Sequence, residues 1–328
     1  MLNVEPLGPF RPDNSPRKVG PAVRVAIATV LTFACAIGGA ASGTRSRGAK
    51  AKTAPDAQDQ EPIILAGAGD IANCEITGGS GAIATARLLD QIPGTVFTVG
   101  DHAYPSGAAT QFQECYEPRW GRHKARTRPA PGNHDYLTDH GRAYYDYFGE
   151  NAGPERRGYY SYTLGTWHIV SLNSFIAADR HSRQLEWLRK DLAEHPSACT
   201  LAYWHIPVFS SGPHGSEAQT SMHMQEAWRV LYEHHAAIVI GGHDHDYERF
   251  APQDAEGKAD PKGIREFVVG TGGAGLYEFR HVRPNSEARS NRSYGVLKLT
   301  LGAADYTWEF ITAAGEPFRD GGAASCVQ

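Results

Sequence analysis

The chain has no long run of lysine and arginine, no CxxC pair, no internal repeat of fixed period, and no low-complexity segment beyond one short polar stretch near its start. Each absence removes a class of function. With 32 Lys plus Arg against 36 Asp plus Glu the formal net charge is -4, so no basic face is available to displace counterions from phosphates and a nucleic-acid partner is not expected. Without CxxC spacing the cysteines do not read as a structural zinc site. What is present is globular. Charged residues at 21% and hydrophobic residues at 41% are too apolar a mix for a disordered chain, and 328 residues supply a sizeable core in one large domain or two small ones.

Val25 to Gly43 carries no charge and follows Arg17, Lys18 and Arg24, the charge-then-apolar order of an export signal, with Gly39 to Gly43 as a small-residue cleavage zone. A retained membrane anchor and a buried core helix are the alternatives, the first because about 19 uncharged residues just span a bilayer. Residues 1–43 are therefore read as a signal peptide or anchor and 44–61, polar and without apolar periodicity, as a flexible linker. Residues 62–328 form the remaining domain. The expected location is secreted or otherwise extracytoplasmic, with a membrane tether in the anchor alternative. Outside the leader stand Cys74, Cys115, Cys199 and Cys326, an even number that suits an oxidising compartment. Cys74 and Cys115 each follow shortly after a strand that ends in a ligand-type residue, which favours their pairing and leaves Cys199 for Cys326. The sequence does not decide among the three possible pairings.

Short runs rich in Val, Ile and aromatics, at Ile63 to Ala66, Thr95 to Val99, His168 to Leu172, Thr200 to Trp204, Ala237 to Ile240 and Phe267 to Val269, read as buried strands. Between them Ala82 to Ile92, Arg180 to His195 and Met222 to His235 place apolar residues at helical spacing, as in Leu185, Leu188 and Leu192. Tyr294 to Thr300 and Tyr306 to Ile311, joined through Gly302, read as an antiparallel pair that finishes a sheet. The expected fold is α/β, two packed sheets flanked by helices.

The chemistry is signalled by what stands after the strands. Asp70 ends IILAGAGD, Asp101 ends TVFTVGD, Asn133 and His134 follow RPAPGN, His205 ends TLAYWH, and His243 and His245 follow AIVIGGH. In α/β sheets side chains from distant segments converge beyond the carboxyl ends of strands. Any one of these residues is a routine turn or cap residue by itself. Five segments each finishing in a metal-ligand type, with glycine beside the ligand so that backbone can approach closely, point to a metal centre. His243 and His245, two apart in extended chain, would face it together.

In order, the blocks GDIA, GDHAY, GNHD, the His of YWHIP, and GHDHDYER resemble those of the metallophosphoesterase (calcineurin-like) superfamily, and within it the purple acid phosphatases. The resemblance spans Ile63 to Gly275. Tyr104, three residues after Asp101, narrows it, since a Tyr there binds ferric iron in the purple acid phosphatases. Ala72 stands where most of the superfamily has the His of an Asp-x-His start. The resemblance implies a four-layer α/β/β/α sandwich of mixed sheets with a binuclear centre. One metal is then held by Asp70, Asp101, Tyr104 and His245, and the other by Asp101, Asn133, His205 and His243. A shared carboxylate is suited to holding two cations about 3.5 to 4 Å apart. A phenolate suits hard Fe(III) at the first position, while amide and imidazole donors leave the second open to Zn, Mn or Fe(II).

Two such cations bind a phosphate ester and lower the pKa of a bound water, whose hydroxide attacks phosphorus in line. His134, beside Asn133 but not itself a ligand, is the expected general acid, with Asp135 orienting its ring. His214, in a Gly- and Ser-rich loop nine residues past His205, resembles the second substrate-facing histidine of the purple acid phosphatases. His123, His140, His181, His234 and His235 read as solvent-facing, His102 lies near the site without an assigned role, and Thr271 to Gly273 reads as a turn beside the metals rather than a cofactor loop. The leading reading is an exported phosphomonoesterase acting on phosphate esters, without the additional N-terminal β-domain of the large plant members. A phosphodiesterase of the same superfamily and a catalytically silent surface-binding protein remain as alternatives.

Overall fold

The computed structural model describes residues 63–216, 223–313, 315 and 317–326. The expected leader and linker lie outside the described residues. Among the described residues thirteen strands run in chain order: β1 (Ile63–Ala68), β2 (Thr95–Val99), β3 (Thr127–Ala130), β4 (Tyr160–Leu164), β5 (Trp167–Ser171), β6 (Cys199–Tyr203), β7 (Ile238–Gly241), β8 (Tyr247–Phe250), β9 (Arg265–Val269), β10 (Ser286–Ser290), β11 (Gly295–Leu301), β12 (Asp305–Thr312) and β13 (Asp320–Ser325). They form a six-stranded sheet ordered β13-β12-β11-β1-β2-β3 and a seven-stranded sheet ordered β10-β8-β9-β7-β6-β5-β4. Both are mixed. β1, β2 and β3 are parallel, with β11 antiparallel to β1, and β5, β6, β7 and β9 are parallel, with β4 and β8 antiparallel.

Period-two alternation sorts the side chains between layers. In the seven-stranded sheet Ile169, Leu201, Ile238 and Ile240 face the other sheet, whereas Val170, Ala202 and Val239 turn toward the helices. On the six-stranded side β12 presents Tyr306, Trp308 and Phe310 inward with exposed residues between them. Aromatic pairs then join the sheets: Phe97 with Tyr203 at 6.0 Å, Phe267 with Trp308 at 6.1 Å, Trp167 with Tyr306 at 5.8 Å, and Tyr247 stacked on Phe310 at 3.9 Å. Beyond the second sheet, helices Arg183–Glu194 and Gln225–Glu233 bury Leu185, Leu188, Leu192, Trp228 and Leu231. Ser182 caps the first of these, its Oγ accepting from the Leu185 N–H at 3.3 Å. Helix Ser80–Asp90 covers the first sheet through Ala82, Ala86 and Leu89. The α/β/β/α sandwich of two mixed sheets is therefore present.

Differences from the sequence reading fall mostly at edges. Thr127 to Ala130, not among the runs read as strands, forms β3; Pro129 is tolerated there because β3 is an edge strand. The pair β11 and β12 does not finish its sheet, because β13, of sequence DGGAAS, pairs outside β12. His123 is buried at 6% exposure rather than solvent-facing. Its Nε2–H donates to the Ala86 carbonyl at 3.2 Å, and burial pushes its pKa down.

Disulfides join Cys74 to Cys115 and Cys199 to Cys326, the pairing the sequence favoured. The second closes a separation of 127 residues and starts at the end of β6 opposite His205. Replacing both Cys199 and Cys326 by Ser should cost about 2–5 kcal/mol, read from the denaturation midpoint, with metal content unchanged in the folded protein. The Cys74→Ser, Cys115→Ser pair should in addition weaken metal retention, since Cys74 opens the short helix directly behind Asp70.

Candidate metal centre

The parallel strands of both sheets end on one rim, and there the chain turns sharply. Asp70, Asp101 and His243 have φ of 58°, 53° and 68°, a left-handed conformation that costs a residue other than glycine about 1–3 kcal/mol and persists only when neighbours over-determine it. The neighbours do so. Past β1 and β2 the two loops continue to pair, with Asp70 N–H donating to Gly100 O at 3.0 Å and Ile71 N–H to Asp101 O at 2.9 Å. His243 N–H donates to Asp70 Oδ2 at 2.9 Å, and His134 N–H to Asp101 Oδ1 at 2.8 Å. Gly132 is obligatory, because a Cβ there would stand 2.2 Å from Asp101 Oδ1.

The seven expected ligands meet in two adjoining groups. In the first, Tyr104 Oη lies 3.0 Å from Asp70 Oδ1, 3.0 Å from Asp101 Oδ2 and 3.1 Å from His245 Nε2. In the second, His205 Nε2 lies 2.9 Å from Asn133 Oδ1, 3.2 Å from His243 Nδ1 and 3.5 Å from Asp101 Oδ2. Backbone carbonyls hold the opposite ring nitrogens: His205 Nδ1–H donates to Val99 O at 2.7 Å and His245 Nδ1–H to Gly275 O. That leaves Nε2 of each as the free donor. The segment carrying His243 and His245 is not extended as expected. Asp244 N–H donates to Gly242 O and Asp246 N–H to Asp244 O, each at 2.8 Å, and these tight turns aim the two rings at different groups.

Asp70 and Asp101 are 0% and 1% exposed, and among the described residues neither pairs with a lysine or arginine. Burial opposes ionisation of Asp101, but His205 overrides it and holds the carboxyl well below its ordinary range. His205 responds reciprocally: burial lowers its pKa, Asp101 raises it, and the imidazole is pushed up to about 9. Burial, then Asp101, then Asp70 push the Tyr104 phenol well above its usual value. An electrophilic cation is what would draw off that proton. Two buried carboxylates, a phenol, an amide oxygen and three imidazoles within about a ligand–ligand separation fit a pair of cations by donor chemistry.

His134 places its ring 4.4 Å from that of Tyr104. Its Nδ1–H donates to Pro105 O, and Nε2 lies 3.8 Å from Asp101 Oδ2. His214 stands 4.3 Å, ring to ring, from His243. Asp135 does not orient His134. Its carboxylate turns back from the first turn of a short helix to accept from the N–H groups of Gly132, Asp101 and His102 at 2.9, 3.0 and 3.1 Å, and contacts His102 Nδ1 at 2.8 Å. Asp135 and His102 thus fix the loop that carries Asp101. Tyr277, which had no sequence signal, stacks on His245 at 3.9 Å and 8°. A separate group, His168, Asp191 and His195, is a poor metal site. Its rings lie nearly parallel at 12° and 5.1 Å, so their lone pairs do not converge, and His195 Nδ1 is occupied by the Asp191 carbonyl.

Purple acid phosphatase 15 of Arabidopsis thaliana is 32% identical over 223 residues, which cover 57% of this chain and 41% of that protein. Purple acid phosphatase 21 of the same plant is 30% identical over 238 residues, 65% of this chain and 50% of that protein. The chain thus spans half or less of these relatives' length. Among solved structures, a purple acid phosphatase from yellow lupin (Lupinus luteus) seeds superposes with a TM-score of 0.68 at 20% identity, covering 81% of this chain and 54% of that one. GAP50, the anchor in the inner membrane complex of Plasmodium, shares the fold with a TM-score of 0.60 at 13% identity, covering 81% and 89%. Residues 65–247 match the family model of the calcineurin-like phosphoesterases. That span exceeds half the chain and contains all seven residues that meet on the rim, and the chain belongs to this family.

Proposed function

We propose that this protein is an exported, binuclear metal-dependent phosphomonoesterase of the purple acid phosphatase type. The observation that carries the reading is the position of Asp101 Oδ2, 3.0 Å from Tyr104 Oη in one donor group and 3.5 Å from His205 Nε2 in the other. Its partner oxygen is held by the His134 N–H, so Oδ2 is the atom free to be shared. Asp70, Tyr104 and His245 would hold Fe(III), because phenolate and carboxylate oxygens favour a hard trivalent ion; Asn133, His205 and His243 would hold divalent Zn, Mn or Fe. When bound, the pair supplies Lewis acidity toward phosphate oxygens and a water acidic enough to attack near neutral pH.

The chain's own groups handle the proton and the leaving group. His134 keeps Nδ1–H on the Pro105 carbonyl, so Nε2 is the nitrogen presented to an ester oxygen as general acid. Its side chain is 29% exposed, open enough to meet a bound ester while the carboxylates below it stay dry. His214 offers a second imidazole beside His243 for a non-bridging phosphate oxygen. Two disulfides support export, since such bonds persist in oxidising compartments. No helix among the described residues is long and apolar enough to cross a membrane; the apolar run at Val25 to Gly43 lies outside them.

Purified protein loaded with iron and a divalent metal should hydrolyse p-nitrophenyl phosphate in preference to bis(p-nitrophenyl) phosphate, and chelation should abolish turnover. Preference for the diester would move the assignment to a phosphodiesterase; turnover that survives removal of both metals would end it. The iron form should show a visible phenolate-to-iron charge-transfer band that Tyr104→Phe removes, and a colourless, iron-free, fully active enzyme would refute the ferric site. His134→Ala should lower kcat by roughly 10²- to 10⁴-fold for esters with poor leaving groups while metal content stays the same. Loss of metal in that variant would reassign His134 as a ligand.

A further inference from the structure

Between the two ligand histidines of Gly-His-Asp-His lies a carboxylate that no step above uses. Asp244 is fully buried, and the contacts made by its side chain lead to one place. Oδ1 accepts from the His214 backbone N–H at 3.1 Å and contacts His214 Nδ1 at 2.8 Å. Oδ2 accepts from Ser210 Oγ. The loop from Ser210 is drawn down onto this group so closely that a Cβ on Gly212 would stand 2.4 Å from Asp244 Cγ. His214 itself sits on a single 3-10 turn, His214–Ser216, in a Gly- and Ser-rich stretch.

We infer that Asp244 is a positioning residue that fixes the His214 ring with Nδ1–H toward the protein and Nε2 toward a bound phosphate group. The inference rests on the phosphatase reading above and extends it. A carboxylate on one ring nitrogen selects the tautomer, sets the ring plane and raises the donor strength of the opposite N–H once the ring is charged. The ring is thereby held 4.3 Å from His243, a member of the second donor group, and 5.8 Å from Tyr277. Because Asp244 stands between His243 and His245 in the chain, one short segment carries a histidine for each donor group and the carboxylate that holds the His214 ring.

A double-mutant cycle on the metal-loaded enzyme tests this, using Asp244→Asn, His214→Ala and the two combined. Each protein is measured for metal content, for kcat and KM on p-nitrophenyl phosphate, and for affinity toward inorganic phosphate. Asp244→Asn should retain both metals and lose about 10- to 100-fold in kcat/KM, as outer partners of site residues typically do. Phosphate affinity should weaken in the same variant. In the His214→Ala background the Asp244→Asn change should have no further effect on either readout, because its only route to the substrate is gone. An undiminished effect there, or loss of a metal on Asp244→Asn alone, would overturn the inference and make Asp244 a support for the ligand loop. If the wild type shows no metal-dependent turnover the phosphatase reading fails, and the phosphate-affinity cycle still decides the coupling: an additive cycle rejects it. Ser210→Ala keeps the carboxylate and removes its bond to Oδ2, together with the bond that Ser210 Oγ accepts from the Gly212 N–H at 3.0 Å, so it should reproduce the pattern at smaller amplitude and decides the matter if Asp244→Asn does not fold.

Discussion

Burying two carboxylates side by side, with no lysine or arginine paired to them among the described residues, is the constraint on which the rest of the molecule depends. Asp70 and Asp101 are almost fully buried, and the partners within reach are imidazoles, a phenol and backbone N–H groups. An ionised carboxylate taken out of water is expensive unless it is paired or coordinates a metal. His205 supplies part of the compensation, which is why its imidazole is pushed up while Asp101 is held down. Cations on both sides of Asp101 would supply the remainder, and the same charge concentration would then act on a phosphate ester.

Neither sheet contains the site alone. Asp70, Asp101 and Asn133 follow strands of the six-stranded sheet, whereas His205 and His243 follow strands of the other. Their distances therefore depend on how the sheets are set against each other. The aromatic pairs in the interior fix that setting at depth, and polar contacts fix it at the rim. Gly69 N–H donates to Val269 O at 2.9 Å, Ala274 N–H to Asp70 O at 2.9 Å, and His205 Nδ1–H to Val99 O, all across the sheets. The left-handed turns at Asp70, Asp101 and His243 are affordable because this double layer leaves the loops little room to relax.

Asp70, Asp101, His205 and His243 were legible because each follows a largely buried strand that reads as an apolar run, whereas Asn133, which follows an edge strand, was legible through the glycine and histidine beside it in GNHD. Tyr104 was legible through its spacing from Asp101. What escaped had no such signal. β3, β10 and β13 are edge strands whose residues are proline-bearing, polar or small, since an edge is only half covered. His123 was misread because a polar helical context does not say which side of the turn faces the core. Asp135 was placed on the wrong imidazole because adjacency in sequence suggested His134, whereas the turn at Gly132 swings its carboxylate back under the Asp101 loop to His102.

The segment from Asp244 to Glu248 packs three acids into five residues, and their surroundings do not shift them alike. Asp244 is held below its ordinary range: burial opposes this, but the His214 ring, Ser210 and the His214 N–H together outweigh it. Asp246, fully buried, has no hydrogen-bond partner for either oxygen among the described residues, and burial followed by Asp244, Glu248 and Asp70 pushes its carboxyl well above its usual value. The two shifts are linked, because a second anion two residues from Asp244 would add repulsion in a site already holding Asp70. Environment, not residue type, thus pushes the two carboxyls in opposite directions. One is left to act on the His214 ring, and the other serves as part of the wall behind the metal loops.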